Sequence, residues 1–198
     1  MGGSMVINPK SRLHKDLSFA ADVDRMSNLR LEEGCWEGLY PSDAAALYLN
    51  SRDFEARSQR INETALDLVQ HIADTGFFKS LYYPALTITE DGDHRSIDPL
   101  YARYMKASGG AGSLFSVVFD EEKLCPKTFY DCLAYSKGPS LGTNFTLCCP
   151  YTILAHYTEL DWAEECGVAR SLIRVSVGLE EPDFLKQAWT TAVEAARR

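Results

Sequence analysis

The sequence lacks an excess of positive charge. Its 198 residues include 20 Lys and Arg against 28 Asp and Glu, which leaves a formal net charge of −8. Proteins that bind nucleic acids or anionic membranes through their surfaces use basic patches, because neutralising phosphates or lipid headgroups releases counterions. The charge therefore argues against a general nucleic-acid or membrane binder.

The sequence also lacks the patterns of a metal site, a nucleotide-binding loop and a membrane span. Its six cysteines show no C-x-x-C spacing, its four histidines are scattered, and its longest uncharged stretch is too polar for a membrane helix. The glycine-rich residues 109–112 precede an apolar run and are not followed by Lys-Ser/Thr, so they predict a tight entry into a buried strand, not a P-loop. No apolar leader opens the sequence. We therefore expect no metal, free thiols and a cytoplasmic location.

The sequence does contain the alternating pattern of a layered domain. Ser42 is predicted to cap a short helix, and Ser51 a longer one that ends at Gly76. The apolar positions of this longer helix recur at three- and four-residue spacing: Ile61, Ala65, Leu68, Val69 and Ile72. Residues 113–119 predict a strand, and Pro182 opens a last helix. Strands separated by helices indicate a small α/β or α+β fold.

Residues 172–177 predict a second strand with an unusual charge in its middle. Alternation places Ile173, Val175 and Val177 on one face, and Leu172, Arg174 and Ser176 on the other. An unpaired buried charge is costly, so Arg174 either faces water, with or without a salt bridge, or meets an anion. A guanidinium can grip a carboxylate through two parallel hydrogen bonds. The strand pattern leaves both possibilities open.

Two segments together resemble the C-terminal signature of the Cys/Met-metabolism pyridoxal-phosphate enzymes. These segments are Ser140-Leu141-Gly142 and residues 172–180. The family includes cystathionine γ-synthase, the cystathionine lyases, methionine γ-lyase and the homoserine sulfhydrylases. Further segments fit the same family. Residues 110–119 look like its glycine-led strand, and Tyr82-Tyr83-Pro84 looks like its strand ending in Tyr-Pro. Residues 1–6 look like the strand that follows its Schiff-base lysine, and the helix with Arg57, Arg60 and Ala65 looks like the one between its two domains.

The resemblance implies the C-terminal part of a pyridoxal-phosphate-dependent transferase fold, with helices and sheet packed in three layers. It implies that residues 1–60 are a remnant of the large cofactor-binding domain with the connecting helix. Residues 61–198 would then form the small substrate-recognition domain.

The implied activity is γ-substitution on an O-acylhomoserine by a thiol such as cysteine, as in cystathionine γ-synthase. A γ-lyase or a homoserine sulfhydrylase is the alternative within the family. Arg174 matches the arginine that holds the α-carboxylate of the substrate, and Ser140 matches the serine at the same end of the pocket. The sequence departs from the family pattern at residues 143–146, Cys149-Pro150 and Ala155-His156, which leaves the substrate side chain open.

The same alignment places the Schiff-base lysine and the other cofactor contacts outside this sequence. No catalytic and no cofactor-binding residue is therefore predicted in the chain, which should be inactive alone, because the cofactor carries the carbanion chemistry. Pyridoxal phosphate would be bound by the intact enzyme. The alternative is a non-catalytic, truncated module that associates with a full-length partner. The expected partners are a small amino-acid substrate and either a second copy or a chain with the cofactor domain.

Overall fold

The computed structural model describes residues 40–89, 94–95 and 99–198. The chain divides into two units, residues 1–54 and 55–198. In the first unit, helix α1 (Pro41–Ser51) buries none of its side chains. The strand expected at residues 1–6 lies outside the described residues.

Strands and helices are interspersed along the chain from the long helix onward. In chain order the elements are α2 (Phe54–Ala73), β1 (Phe78–Tyr82), β2 (Thr87–Ile88), β3 (His94–Arg95), α3 (Pro99–Tyr104), β4 (Leu114–Phe119), α4 (Pro126–Cys132), β5 (Ser136–Lys137), β6 (Leu147–Pro150), α5 (Tyr151–Ala155), α6 (Leu160–Glu165), β7 (Ile173–Ser176) and α7 (Pro182–Ala196). None of the helices within the described ranges is both long and apolar enough to cross a membrane.

The strands form one mixed sheet of seven strands in the order β3-β2-β1-β4-β7-β6-β5. The pairing of β5 with β6 is parallel, and the other five neighbouring pairs are antiparallel. Strand β7 lies between β4 and β6, so its side chains are flanked on both sides. A mixed sheet with helices confirms the predicted α/β class.

The core joins α2, α7 and one face of the sheet in a single hydrophobic cluster. Trp189 is fully buried within it, and its ring centre lies 4.7 Å from that of Phe129 and 6.0 Å from that of Phe115. Burying one such large side chain contributes about 1.5–3 kcal/mol. The predicted inward face of β7 is confirmed, because Ile173, Val175 and Val177 all belong to the cluster.

The two helix caps predicted from serine are wrong. Helix α1 starts with Pro41 at its first position and Tyr40 before it, so Ser42 lies inside the helix. Proline is favoured there because its missing N–H would have no partner in the first turn. Ser51 is the last residue of α1, where its hydroxyl donates to the Tyr48 carbonyl at 2.9 Å. The predicted stop after α2 is confirmed by Gly76, whose φ is +69°.

The glycine-rich loop packs against α2 before it enters β4. The side-chain oxygen of Asn62 accepts the Gly112 N–H at 2.8 Å, and the Tyr83 hydroxyl donates to the Gly112 carbonyl at 2.9 Å. Gly112 has a φ of +82°, and a Cβ on Gly110 would lie 2.4 Å from the Asn62 amide. The predicted tight entry into a buried strand is therefore confirmed.

Candidate functional site

Arg174 lies in the middle of the sheet, on the face opposite the core. Its neighbours across the sheet are Ser116 of β4 and Cys149 of β6. The residues before and after it, Ile173 and Val175, are buried in the core, whereas Arg174 is half-buried. The strand pattern therefore predicted its face correctly.

The guanidinium of Arg174 is held by a backbone carbonyl and an aromatic ring. Its Nη2 donates to the Pro139 carbonyl, and its Cζ lies 5.1 Å from the ring centre of Tyr151. Within the ranges that the structure describes, no Asp or Glu forms an ion pair with it. A half-buried cation of this kind can accept an anionic ligand, since that ligand would supply the charge partner.

The backbone on either side of Ser140 is anchored to β7 by two contacts. Arg174 binds the carbonyl of Pro139, and the Gly142 N–H donates to the Ser176 hydroxyl at 3.1 Å. Arg174 and Ser176 are two residues apart on one strand, so they point to the same face. The exposed Ser140 lies between these two anchored positions, although no hydrogen bond joins it to the guanidinium in the described contacts.

The carboxylate of Glu180, in the segment after β7, fixes the loop of residues 143–146, which departs from the family pattern. Glu180 accepts the backbone N–H and the hydroxyl of Thr146, each at 2.7 Å. The Thr146 oxygen in turn accepts the Gly178 N–H at 2.9 Å, and the Leu179 N–H donates to the Asn144 carbonyl at 2.9 Å. Thr146 is almost completely buried. These hydrogen bonds join the segment before β6 to the segment after β7.

Two arginines of α2 also contact these two segments. Arg57 donates to the Asn144 side chain at 2.9 Å, and Arg60 pairs with Glu181 at 2.7 Å. They are three residues apart, hence on one face of the helix. These contacts could not be found from the sequence pattern, because the partners are 87 and 121 residues away.

Among the described lysines, Lys137 has a lowered pKa, which favours the neutral amine that forms an imine. Burial lowers the pKa of Lys137, and a lysine of low pKa can serve as an imine-forming amine. Its Nζ, however, donates to the carbonyls of Tyr130 and Leu133 and lies 4.3 Å from the centre of the Tyr130 ring. These contacts hold an ammonium ion and do not fit a Schiff base with pyridoxal phosphate. The absence of cofactor-binding residues stays a prediction.

The two thiols of β6, Cys148 and Cys149, both have raised pKa values, which disfavour the reactive thiolate. Burial raises the pKa of Cys148 to about 12. Burial also raises the pKa of Cys149, an effect that the charge of Arg174 partly offsets. Across the described ranges, no group of three or more His, Cys, Asp or Glu could hold a metal ion.

Comparison with known proteins yields relatives that include two named cystathionine γ-synthases. No family model matches the chain. The chain is 43% identical over 197 residues to the cystathionine γ-synthase of Neurospora crassa and 40% identical over 199 residues to that of Saccharomyces cerevisiae, matches that each cover 99% of this chain. The chain spans only 28% and 29% of the lengths of these two proteins.

The fold is shared with solved structures of the same group. The crystal structure of a cystathionine γ-lyase from Micromonospora echinospora matches 90% of this chain and 44% of its own, with a TM-score of 0.68 and 21% identity. Homologous cystathionine γ-synthases depend on pyridoxal phosphate. The whole-chain homology does not favour the alternative of a non-catalytic module. The chain therefore belongs to the Cys/Met-metabolism pyridoxal-phosphate enzymes, and it matches the C-terminal portion of a cystathionine γ-synthase.

Proposed function

We propose that this chain provides the substrate-recognition part of an enzyme that replaces the acyl group of an O-acylhomoserine by a thiol such as cysteine. In that reaction the γ carbon–oxygen bond breaks, a γ carbon–sulfur bond forms and a carboxylic acid leaves. The cofactor, when bound in the intact enzyme, supplies the carbanion chemistry. A γ-lyase or a homoserine sulfhydrylase remains the alternative within the family.

The observation that carries the proposal is the state of Arg174. Its guanidinium is half-buried and is held by a backbone carbonyl and an aromatic ring, without a described carboxylate partner. In the proposal, Arg174 binds the α-carboxylate of the substrate through its remaining N–H groups. Ser140 contributes a hydroxyl at the same end of the pocket, since the contacts of Pro139 and Gly142 hold its loop against β7.

The organisation of the chain is part of the same proposal. Residues 1–60 belong to a large cofactor-binding domain and its connecting helix, and residues 61–198 form the small domain. The chain associates with a second copy or with a chain that carries the cofactor domain, and the enzyme works in the cytoplasm. The division of the structure after residue 54 lies near this proposed boundary.

A chimera tests the proposed function. This chain replaces the homologous segment of the Neurospora crassa cystathionine γ-synthase, to which it is 43% identical. We expect the chimera to form cystathionine from cysteine and either O-acetyl- or O-succinylhomoserine, whereas the parent without the segment is inactive. A folded chimera that binds the cofactor but performs no γ-substitution on either ester would contradict the proposal.

A reduction experiment tests whether the chain lacks the cofactor lysine. The isolated chain is incubated with pyridoxal phosphate, reduced with borohydride and mapped by peptide mass spectrometry. We expect no lysine to be labelled at one equivalent, because the resemblance places the Schiff-base lysine outside this sequence and the Nζ of Lys137 donates to backbone carbonyls. The chimera, as the control, should be labelled on one lysine of its Neurospora portion. Stoichiometric labelling of Lys137 would overturn this prediction.

A further inference from the structure

The turn that follows β6 supplies the aromatic neighbour of Arg174. Cys149 lies directly opposite Arg174 in the β6–β7 pairing, and Pro150 separates it from Tyr151, the first residue of α5. The Cζ of Arg174 lies 5.1 Å from the centre of the Tyr151 ring. This separation is within the range in which a cation is attracted by the face of an aromatic ring, about 6 Å.

A ring has an advantage over a carboxylate as the support of a ligand-binding arginine. The guanidinium donates its hydrogen bonds within its own plane, whereas the attraction to a ring acts on the charge and uses none of these donors. A protein carboxylate would occupy the two parallel N–H groups that a substrate carboxylate needs. Tyr151 can therefore hold Arg174 while the N–H groups that Pro139 and the Cys149 thiol do not use stay available.

The position of Tyr151 is itself set by the fold. Its backbone N–H donates to the Leu172 carbonyl at 3.0 Å, which ties the start of α5 to the residue before β7. The edge of its ring meets the His156 ring, with centres 6.2 Å apart and planes at 73°. His156 is in turn held by Glu159, whose carboxylate lies 2.7 Å from Nδ1. Thr152, the residue after Tyr151, is fully buried, and its hydroxyl donates to the Ala169 carbonyl at 2.7 Å.

We infer that Tyr151 is a positioning residue that orients the guanidinium of Arg174 for a carboxylate ligand. The role of the ligand rests on the proposed function, whereas the orientation of Arg174 by Tyr151 does not. Tyr151 acts through its ring face, so the hydroxyl group is dispensable. The inferred chemistry is that of an α-amino acid whose carboxylate meets a preoriented arginine.

The orientation is tested in the isolated chain by NMR of its ¹⁵N-labelled arginine side chains. The rate of rotation about the Nε–Cζ bond of Arg174 is compared in the wild type, Tyr151→Leu and Tyr151→Phe. We expect the leucine variant to rotate several-fold faster, while the phenylalanine variant keeps the wild-type rate because it keeps the ring. Tyr157→Leu is the matched control, since Tyr157 is 75% exposed and belongs to the same segment. Equal rates in the wild type and Tyr151→Leu, with an intact backbone spectrum, would overturn the inference.

A titration of the same samples tests the consequence for ligand binding. The probes are O-acetyl-L-homoserine and its α-carboxamide, and binding is followed by the shifts of the backbone amides of β6 and β7. We expect Tyr151→Leu to bind the carboxylate about 3- to 10-fold more weakly, Tyr151→Phe to bind like the wild type, and the carboxamide not to bind. The leucine effect should vanish when Arg174 is changed to glutamine, which removes the charge that the ring attracts. Equal affinity of the wild type and Tyr151→Leu would overturn the inference, as would an unchanged effect in the Arg174→Gln background. If no form of the isolated chain binds the carboxylate, the rotation rates alone decide the role of Tyr151, and the chimera decides the proposed function.

Discussion

Replacing Arg174 by lysine in the chimera is expected to weaken the binding of the O-acylhomoserine by about 2–4 kcal/mol, roughly 30- to 800-fold in KM. Lysine keeps the positive charge but not the planar fork that grips a carboxylate through two hydrogen bonds. The absorption of the bound cofactor should stay unchanged, because Arg174 is not proposed to contact it. Steady-state kinetics with the two esters give the KM values.

Arg170 provides the matched control for this substitution. It is paired with Asp161 and Glu164 on the exposed surface, outside the proposed site. A lysine at position 170 can keep such a pair, and exposed pairs contribute about 0–1 kcal/mol, so Arg170→Lys should leave KM within about twofold. An Arg174→Lys chimera with unaltered KM would remove Arg174 from the site. Loss of the cofactor absorption would contradict its assignment to the substrate.

Replacing Gly178 by alanine is expected to lower the free energy of unfolding of the chain by about 3 kcal/mol or more. A Cβ at this position would lie 2.5 Å from both the Cα and the carbonyl carbon of Phe145, and 2.7 Å from the Asn144 oxygen. These are backbone atoms, so they cannot rotate away as a flexible side chain can. The contact of Thr146 with Glu180 lies in the same two segments and should be disturbed with them.

Urea denaturation of the isolated chain measures this effect. The control is Gly138→Ala, whose Cβ would meet the nearest atom, Cδ2 of Leu147, at an ordinary 3.5 Å. Its free energy of unfolding should stay within about 0.5 kcal/mol of the wild type. Equal denaturation midpoints for Gly178→Ala and the wild type would show that the two segments are not packed as closely as the structure has them.

The parts of the fold with a strong hydrophobic period could be predicted from the sequence. The inward face of α7, which includes Leu185, Trp189 and Val193, is buried as its three- and four-residue spacing indicates. The alternation in β7 likewise predicted which side Arg174 occupies. The hydrophobic spacing alone predicted the buried faces of α7 and β7, because one face of each element is packed in the core and the other is not.

Short elements and distant contacts could not be predicted. Helices α5 and α6 have five and six residues, too few for a hydrophobic period to show. The Ser42 cap failed because a proline one residue earlier provides a better helix start at Tyr40-Pro41, and the Ser51 cap failed because Ser51 is the last residue of α1. The support of Arg174 by Pro139 and Tyr151 depends on the pairing of β6 with β7, which a local pattern does not specify.

The most direct test of the central claim is a crystal structure of the chimera with a bound amino-acid substrate or cystathionine. The account predicts that the α-carboxylate accepts hydrogen bonds of about 2.7–2.9 Å from the Arg174 guanidinium, with the Ser140 hydroxyl at the same end of the ligand. The ring of Tyr151 should remain against the guanidinium. A ligand whose α-carboxylate is bound by other residues, with Arg174 in contact with Pro139 and Tyr151 alone, would contradict the account.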